Sequence, residues 1–177
     1  SVLCAQAILS ITAQFAVHYC AIILATESAF AFVDPYDPSM IPDGAFNANV
    51  LNTCTFLVTM VATVNTFLVN YKGRPYMQDF RDNTMLLRGV QICHAVIWIC
   101  ALEVFPPLND LLQLSPFPPT DMSAIAQDDD WVASLEQAGG LTQLVRSLGF
   151  PTFMCLLMAA DTAIAYGAEK AVARMFS

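Results

Sequence analysis

Charge is what this chain has least of. Seven Lys and Arg and fifteen Asp and Glu make up 12% of 177 residues, about half of the roughly 25% carried by an ordinary soluble domain. A surface so poor in charge cannot be turned wholly to water, which largely excludes a soluble enzyme. Basic residues are scarcest, leaving a formal charge of -8, and with them goes electrostatic binding of nucleic acid, which needs cations to neutralise phosphates. The glycines form no glycine-rich loop that could cradle a phosphate. No metal-ligand cluster occurs, and no nucleophile is spaced with a base and an orienting group. The stretch is therefore expected to carry no catalytic residues and to hold no metal or cofactor of its own. The six cysteines, Cys4, Cys20, Cys54, Cys93, Cys100 and Cys155, lack the close spacing of a zinc site and read as small buried apolar residues. Repeats, low-complexity tracts and a second domain are also missing, so residues 1–177 read as one unit.

What the chain has in excess is apolar side chains, 56% of the total, with a mean hydropathy of +0.56. They gather into four runs, at about 2–25, 50–71, 86–102 and 150–172. A run of about 20 residues rising 1.5 Å each matches the roughly 30 Å hydrocarbon core of a bilayer. Lipid offers the backbone no hydrogen-bond partner, so each run is expected to be a helix. The expected fold class is an all-α membrane protein with four transmembrane helices, its lipid partner being the bilayer itself. The first run is no signal peptide: no basic residue precedes it and it is too long for an h-region. A first residue other than Met suggests a piece of something longer.

Orientation is read from the few basic residues, which stay on the cytosolic side when they lie in short loops. Lys72, Arg74, Arg81 and Arg88 flank the 72–85 connection, Lys170 and Arg174 lie near the end, and only Arg146 falls elsewhere. The connections 27–49 and 103–147 hold eleven of the fifteen acids and read as outer loops. An even number of spans then places both ends of the chain in the cytosol. Asp34-Pro35, Asp37-Pro38, Ile41-Pro42, Pro106-Pro107 and Pro116 to Pro119 mark these outer loops as ordered turns. Behind Asp128 to Asp130, the near-helical spacing of Trp131, Leu135, Leu141, Leu144, Val145 and Leu148 predicts an interfacial helix broken at Gly139-Gly140.

Polar residues inside the spans are the candidate site. In the second span Asn52, Thr55, Thr59, Thr63, Thr66 and Asn70 recur at steps of three and four and so share one helical face, with Asn65 beside it. Such a stripe serves either helix packing, at about 0.6 kcal/mol per hydrogen bond, or the wall of a water-accessible pocket; in neither case is it expected to face lipid. Asp161, within the fourth span, must meet protein, a cation or water, since an ionised carboxylate costs roughly 2.5 to 3.5 kcal/mol there. Both a structural acceptor and an ion or substrate ligand are open readings of it. His18 and His94 read as packing residues among apolar neighbours.

At the basic connection, Asn70-Tyr71-Lys72-Gly73, Pro75-Tyr76-Met77, Asp82-Asn83 and Leu86-Leu87 resemble the Asn-Tyr-Lys-Gly-x-Pro-Phe-Met segment of the type V, subclass A, P-type ATPases of the endoplasmic reticulum. Tyr76 stands where that family more usually has Phe. The resemblance extends to Gln14-Phe15 with Val17-His18-Tyr19, to Phe46 and the Asn49 to Asn52 stretch, and to Asp161 followed by Glu169-Lys170; the 104–147 loop is unlike the family. It implies the seventh to tenth membrane helices of a longer chain, whose upstream domains bind ATP and Mg and carry the phosphorylated Asp of an Asp-Lys-Thr-Gly-Thr motif. It also implies a dislocase that extracts mislocalised transmembrane helices from the endoplasmic reticulum membrane, with those helices as clients and the upstream helices as partners. Two other readings stay open: a type V cation or polyamine pump, and a non-enzymatic four-helix membrane scaffold.

Overall fold

The computed structural model describes residues 4–33, 43–44, 47–75, 77–119 and 139–176. Among them there is no strand, and four helices are long and apolar enough to cross a membrane: α1 (Ala5–Phe30), α2 (Val50–Asn70), α3 (Thr84–Ala101) and α6 (Phe150–Met175). The short helices α4 (Pro106–Leu111) and α5 (Gly140–Leu148) lie between α3 and α6. The helix α1 continues past residue 25 to Phe30, and α5 begins where the Gly139-Gly140 break was expected. Asp34, Asp37, the three prolines among residues 35–42, Phe46, Tyr76 and the stretch from Asp121 to Glu136 with Trp131 lie outside the described residues.

Helix starts follow from local chemistry. The Asn49 side chain accepts from Asn52 N at 2.9 Å at the head of α2, and Asn83 accepts from Leu86 N at 3.1 Å at the head of α3, each satisfying an N–H that has no partner within its helix. Pro106 and Pro107 open α4, where a missing N–H is harmless. Between α5 and α6 a single residue, Gly149, ends one helix and begins the next at φ 81°, a backbone setting that glycine adopts without strain.

The bundle is built on α1, α2 and α6. A face of small residues, Ala21, Ala25, Ser28 and Ala29, is buried on α1 and lets the neighbouring backbones approach closely. Cys54, Leu57, Val58 and Val61 on α2 and Phe153, Met154 and Met158 on α6 complete the core. By contrast α3 buries only Ile97, Cys100 and Ala101, near its C-terminal end. At one end of the bundle Phe150 stacks on Phe117 at 5.5 Å and meets Phe32 edge-on at 4.8 Å. Thr53 donates to Ser115 O at 3.1 Å, and Asn109 donates to Cys100 O at 3.2 Å, tying the 103–119 connection across the same end. The outward faces carry Ile8, Phe15, Ile23, Phe30, Ile92, Leu156 and Ile164, the composition of a surface facing acyl chains.

Candidate functional site

The periodicity that counts is spread over three helices. Ser10, Gln14 and His18 repeat every fourth residue on α1; Asn65 and Asn70 lie on α2; Asp161, Thr162 and Glu169 lie on α6. They meet in a polar seam through the middle of the bundle, arranged in two layers.

The inner layer centres on Asp161, near the middle of α6 and only 2% exposed. His18 Nδ1 and Asp161 Oδ1 share a hydrogen bond of 2.7 Å. Asn65 Nδ2 donates to Asp161 Oδ2 at 3.1 Å and to Thr162 Oγ1 at 2.8 Å, and the Thr162 hydroxyl donates onward to Met158 O at 2.8 Å. Both carboxylate oxygens are thus occupied by the other two core helices. That is the arrangement a buried acid needs where the medium supplies no hydrogen bonds. His18 Nε2 and Asn65 Oδ1 are buried without a partner among the described residues.

The second layer lies toward the other end. Gln14 and Asn70 exchange amides, Gln14 Nε2 donating to Asn70 Oδ1 at 3.3 Å and Asn70 Nδ2 donating to Gln14 Oε1 at 2.8 Å. The Ser10 hydroxyl donates to Glu169 Oε2, while Gln14 Nε2 reaches Ser10 Oγ at 2.9 Å and Glu169 Oε2 at 3.5 Å. Gln14 therefore ties α1 to both of its neighbours.

The residues singled out from sequence fall into three groups. Asn70, His18 and Asp161 enter the seam. Asn52 and Thr55 are half-buried, and Thr59, Thr63 and Thr66 are exposed in the chain; the latter three line a groove of about 460 Å³ between α1 and α2, beside Gln14, His18 and Asn70. Thr55 donates to Leu51 O and Thr63 to Thr59 O, both at 2.8 Å, so these hydroxyls are satisfied inside their own helix. The face of α2 that packs is the adjoining one, and its polar members are Thr53, bonded to Ser115 O, and the fully buried Asn65. His94 lies apart on α3, its Nδ1 3.3 Å from Val90 O.

The connection carrying Tyr71, Lys72, Gly73, Pro75 and Met77 folds into an elbow between α2 and α3. Tyr71 donates to Gln78 O at 2.7 Å and packs edge-on against Phe80 at 5.7 Å. Arg74 pairs with Asp79 at 3.4 Å and with Asp82 at 3.0 Å, and Met77 N donates to Gly73 O at 3.2 Å. Gly73 is required by close approach: a Cβ there would lie 2.5 Å from Asp79 Oδ1 and 2.9 Å from Asp79 Cα. Among the described residues no three His, Cys, Asp or Glu side chains converge as metal ligands, and neither the seam nor the elbow offers a cradle that fits ATP with Mg.

Fold and seam together define a multi-pass helical membrane region held by a buried polar network. Over 60 to 62% of its length the chain is similar to the C-terminal part of type V P-type ATPases. It is 30% identical over 108 residues to an endoplasmic reticulum transmembrane helix translocase of Aspergillus fumigatus. It is 31% identical over 107 residues to the endoplasmic reticulum transmembrane helix translocase of Saccharomyces cerevisiae, and 33% identical over 110 residues to a probable manganese-transporting ATPase of Arabidopsis thaliana. The match covers 61%, 60% and 62% of this chain and only 8%, 9% and 9% of those relatives respectively. No family model matches the chain.

Proposed function

We propose that this chain is the C-terminal membrane support of an ATP-driven translocase that extracts mislocalised transmembrane helices from the endoplasmic reticulum membrane. The observation that carries this reading is the seam. Gln14, His18, Asn70, Asp161 and Glu169, which carry the resemblance to that family, come from three helices and meet in the two hydrogen-bonded layers of one seam. The names of the relatives supply the activity.

In this reading α1, α2 and α6 form a unit that the seam keeps from shearing, and the chemistry lies elsewhere in the parent. ATP and Mg would be held by upstream cytosolic domains, because the residues present here do not fit them. Thr59, Thr63 and Thr66 would face upstream helices of the same parent or its pocket. The basic elbow and both ends of the chain would lie in the cytosol, with the aromatic end of the bundle in the lumen. The occupied oxygens of Asp161 favour its role as structural support over that of a transport ligand. A cation pump is the second reading, favoured by the name of the Arabidopsis thaliana relative.

The reading frame of the parent tests the proposal first: it should encode Asp-Lys-Thr-Gly-Thr upstream, and a frame with four helices alone would overturn it. In the purified full-length parent, ATP hydrolysis should rise with added transmembrane-helix clients. Stimulation by manganese and not by clients would favour the second reading.

A further inference from the structure

The end of the bundle next to Glu169 holds a cavity, walled in part by the seam residues Ser10, Asn70 and Glu169, that the proposed activity does not use. It measures about 300 Å³ and is lined by Cys4, Gln6, Ala7, Ser10, Asn70, Lys72 and Glu169, with Ile11 at its inner edge. Ile11 and Asn70 also line the groove between α1 and α2, so the two spaces are neighbours. A cavity at the helix ends that carries Lys72 and Glu169 thus lies beside a groove walled by Phe15, Ile22 and Ala62. From Ile11 to Ile22 that groove follows α1 for about 16 Å at 1.5 Å per residue.

Its charges are complementary and unused. Lys72 is exposed and makes no ion pair among the described residues. Glu169 spends Oε2 on Ser10 and Gln14, while Oε1 accepts no hydrogen bond among the described residues. The two side chains line one cavity without pairing with each other. Asn70, locked amide to amide with Gln14, is held in place in the cavity wall.

We propose that this cavity binds the headgroup of a zwitterionic amino-phospholipid, with Lys72 on the phosphate, Glu169 Oε1 accepting from the ammonium, and one acyl chain in the groove between α1 and α2. A lone cation beside a bilayer attracts any anionic lipid; a cation and an acceptor in one cavity select a headgroup bearing both charges. A choline headgroup carries no N–H to donate, so Glu169 discriminates against it. The inference does not rest on the translocase reading.

The test uses the full-length protein, reconstituted in vesicles of equimolar phosphatidylethanolamine, phosphatidylcholine and phosphatidylglycerol, then solubilised, washed and assayed for retained lipid by mass spectrometry. The wild type should retain phosphatidylethanolamine over phosphatidylcholine by roughly tenfold, the scale of one charge-assisted hydrogen bond. Lys72→Ala should lower retained phosphatidylethanolamine by a similar factor, and Glu169→Gln should abolish the preference. Ala7→Phe should displace the lipid by filling the cavity while leaving the bonds of Glu169 in place. If Glu169→Gln fails to fold, the Lys72→Ala and Ala7→Phe results decide. Equal retention of phosphatidylethanolamine and phosphatidylcholine, preferential retention of phosphatidylglycerol, or undiminished phosphatidylethanolamine in Lys72→Ala and Ala7→Phe would each overturn the site.

Discussion

Because both oxygens of Asp161 are engaged, two ways of removing its charge should differ in effect. Asp161→Asn keeps an acceptor for His18, and its new amide can meet the unpartnered Oδ1 of Asn65 once that side chain rotates. The expected loss is about 1 kcal/mol. Asp161→Leu strands donors on His18 and Asn65 in a low-dielectric core, and the expected loss is about 3 kcal/mol or failure to assemble. Thermal unfolding of the full-length protein in detergent would read both. An Asn variant with undiminished stability but no client-stimulated ATP hydrolysis would make Asp161 a functional carboxylate instead. Asp161 could be singled out from the sequence because an acid in an apolar run is expensive anywhere. His18 also stood out as a polar residue among apolar neighbours, but its pairing with Asp161 could not be read, because the two are 143 residues apart and periodicity carries no information across that distance. A local signal did exist: Ser10, Gln14 and His18 form a polar stripe at a spacing of four on the face of α1 that the structure buries.

The second helix shows what a helical wheel can and cannot say. Asn52, Thr55, Thr59, Thr63, Thr66 and Asn70 share a face as their spacing required, but spacing does not tell which face meets a neighbour. The packed face runs through Cys54, Val58, Val61 and Asn65, and Asn65 rather than a threonine bonds to α6. Replacing Thr59, Thr63 and Thr66 together by Leu should leave the contacts of α2 with α1 and α6 intact. In the full-length parent it should lower stability or client extraction; if both were unchanged, the stripe would be idle. The elbow gives a sharper expectation. In Gly73→Ala the added methyl collides with the Asp79 backbone as well as its side chain, so the turn and its Arg74 pairings must shift, at about 1 to 3 kcal/mol. Gly149→Ala strains the junction of α5 and α6, because φ 81° with ψ 145° is a setting almost confined to glycine, at roughly 1 to 3 kcal/mol. Both are measurable as lowered unfolding temperatures.

At the scale of the whole molecule the apolar runs made the four helices legible, because bilayer thickness fixes how long such a run must be. The connections were less legible. Glu103 accepts from Phe117 N at 2.8 Å and Phe117 stacks on Phe150, contacts that no composition rule foretells. Ser10, Asn70 and Glu169 meet at one end of the bundle, and Phe32, Phe117 and Phe150 at the other, so α2 and α6 run parallel to each other and antiparallel to α1. If the basic elbow lies in the cytosol as proposed, glycosylation acceptors placed near Ser39 and near Asp129 should be modified in microsomes, and one placed near Gln78 should not. Modification at the Gln78 site alone would invert the topology.

The seam also bears on how the chain is made. His18 leaves the ribosome 143 residues before Asp161, an interval of roughly 7 to 30 s at ordinary elongation rates. Throughout it α1 carries Gln14 and His18 without the acids of α6, so its insertion is provisional. Membrane integration of this bundle is therefore finished by its last helix, and a chain truncated before Asp161 would leave α1 the kind of helix that membrane quality control removes.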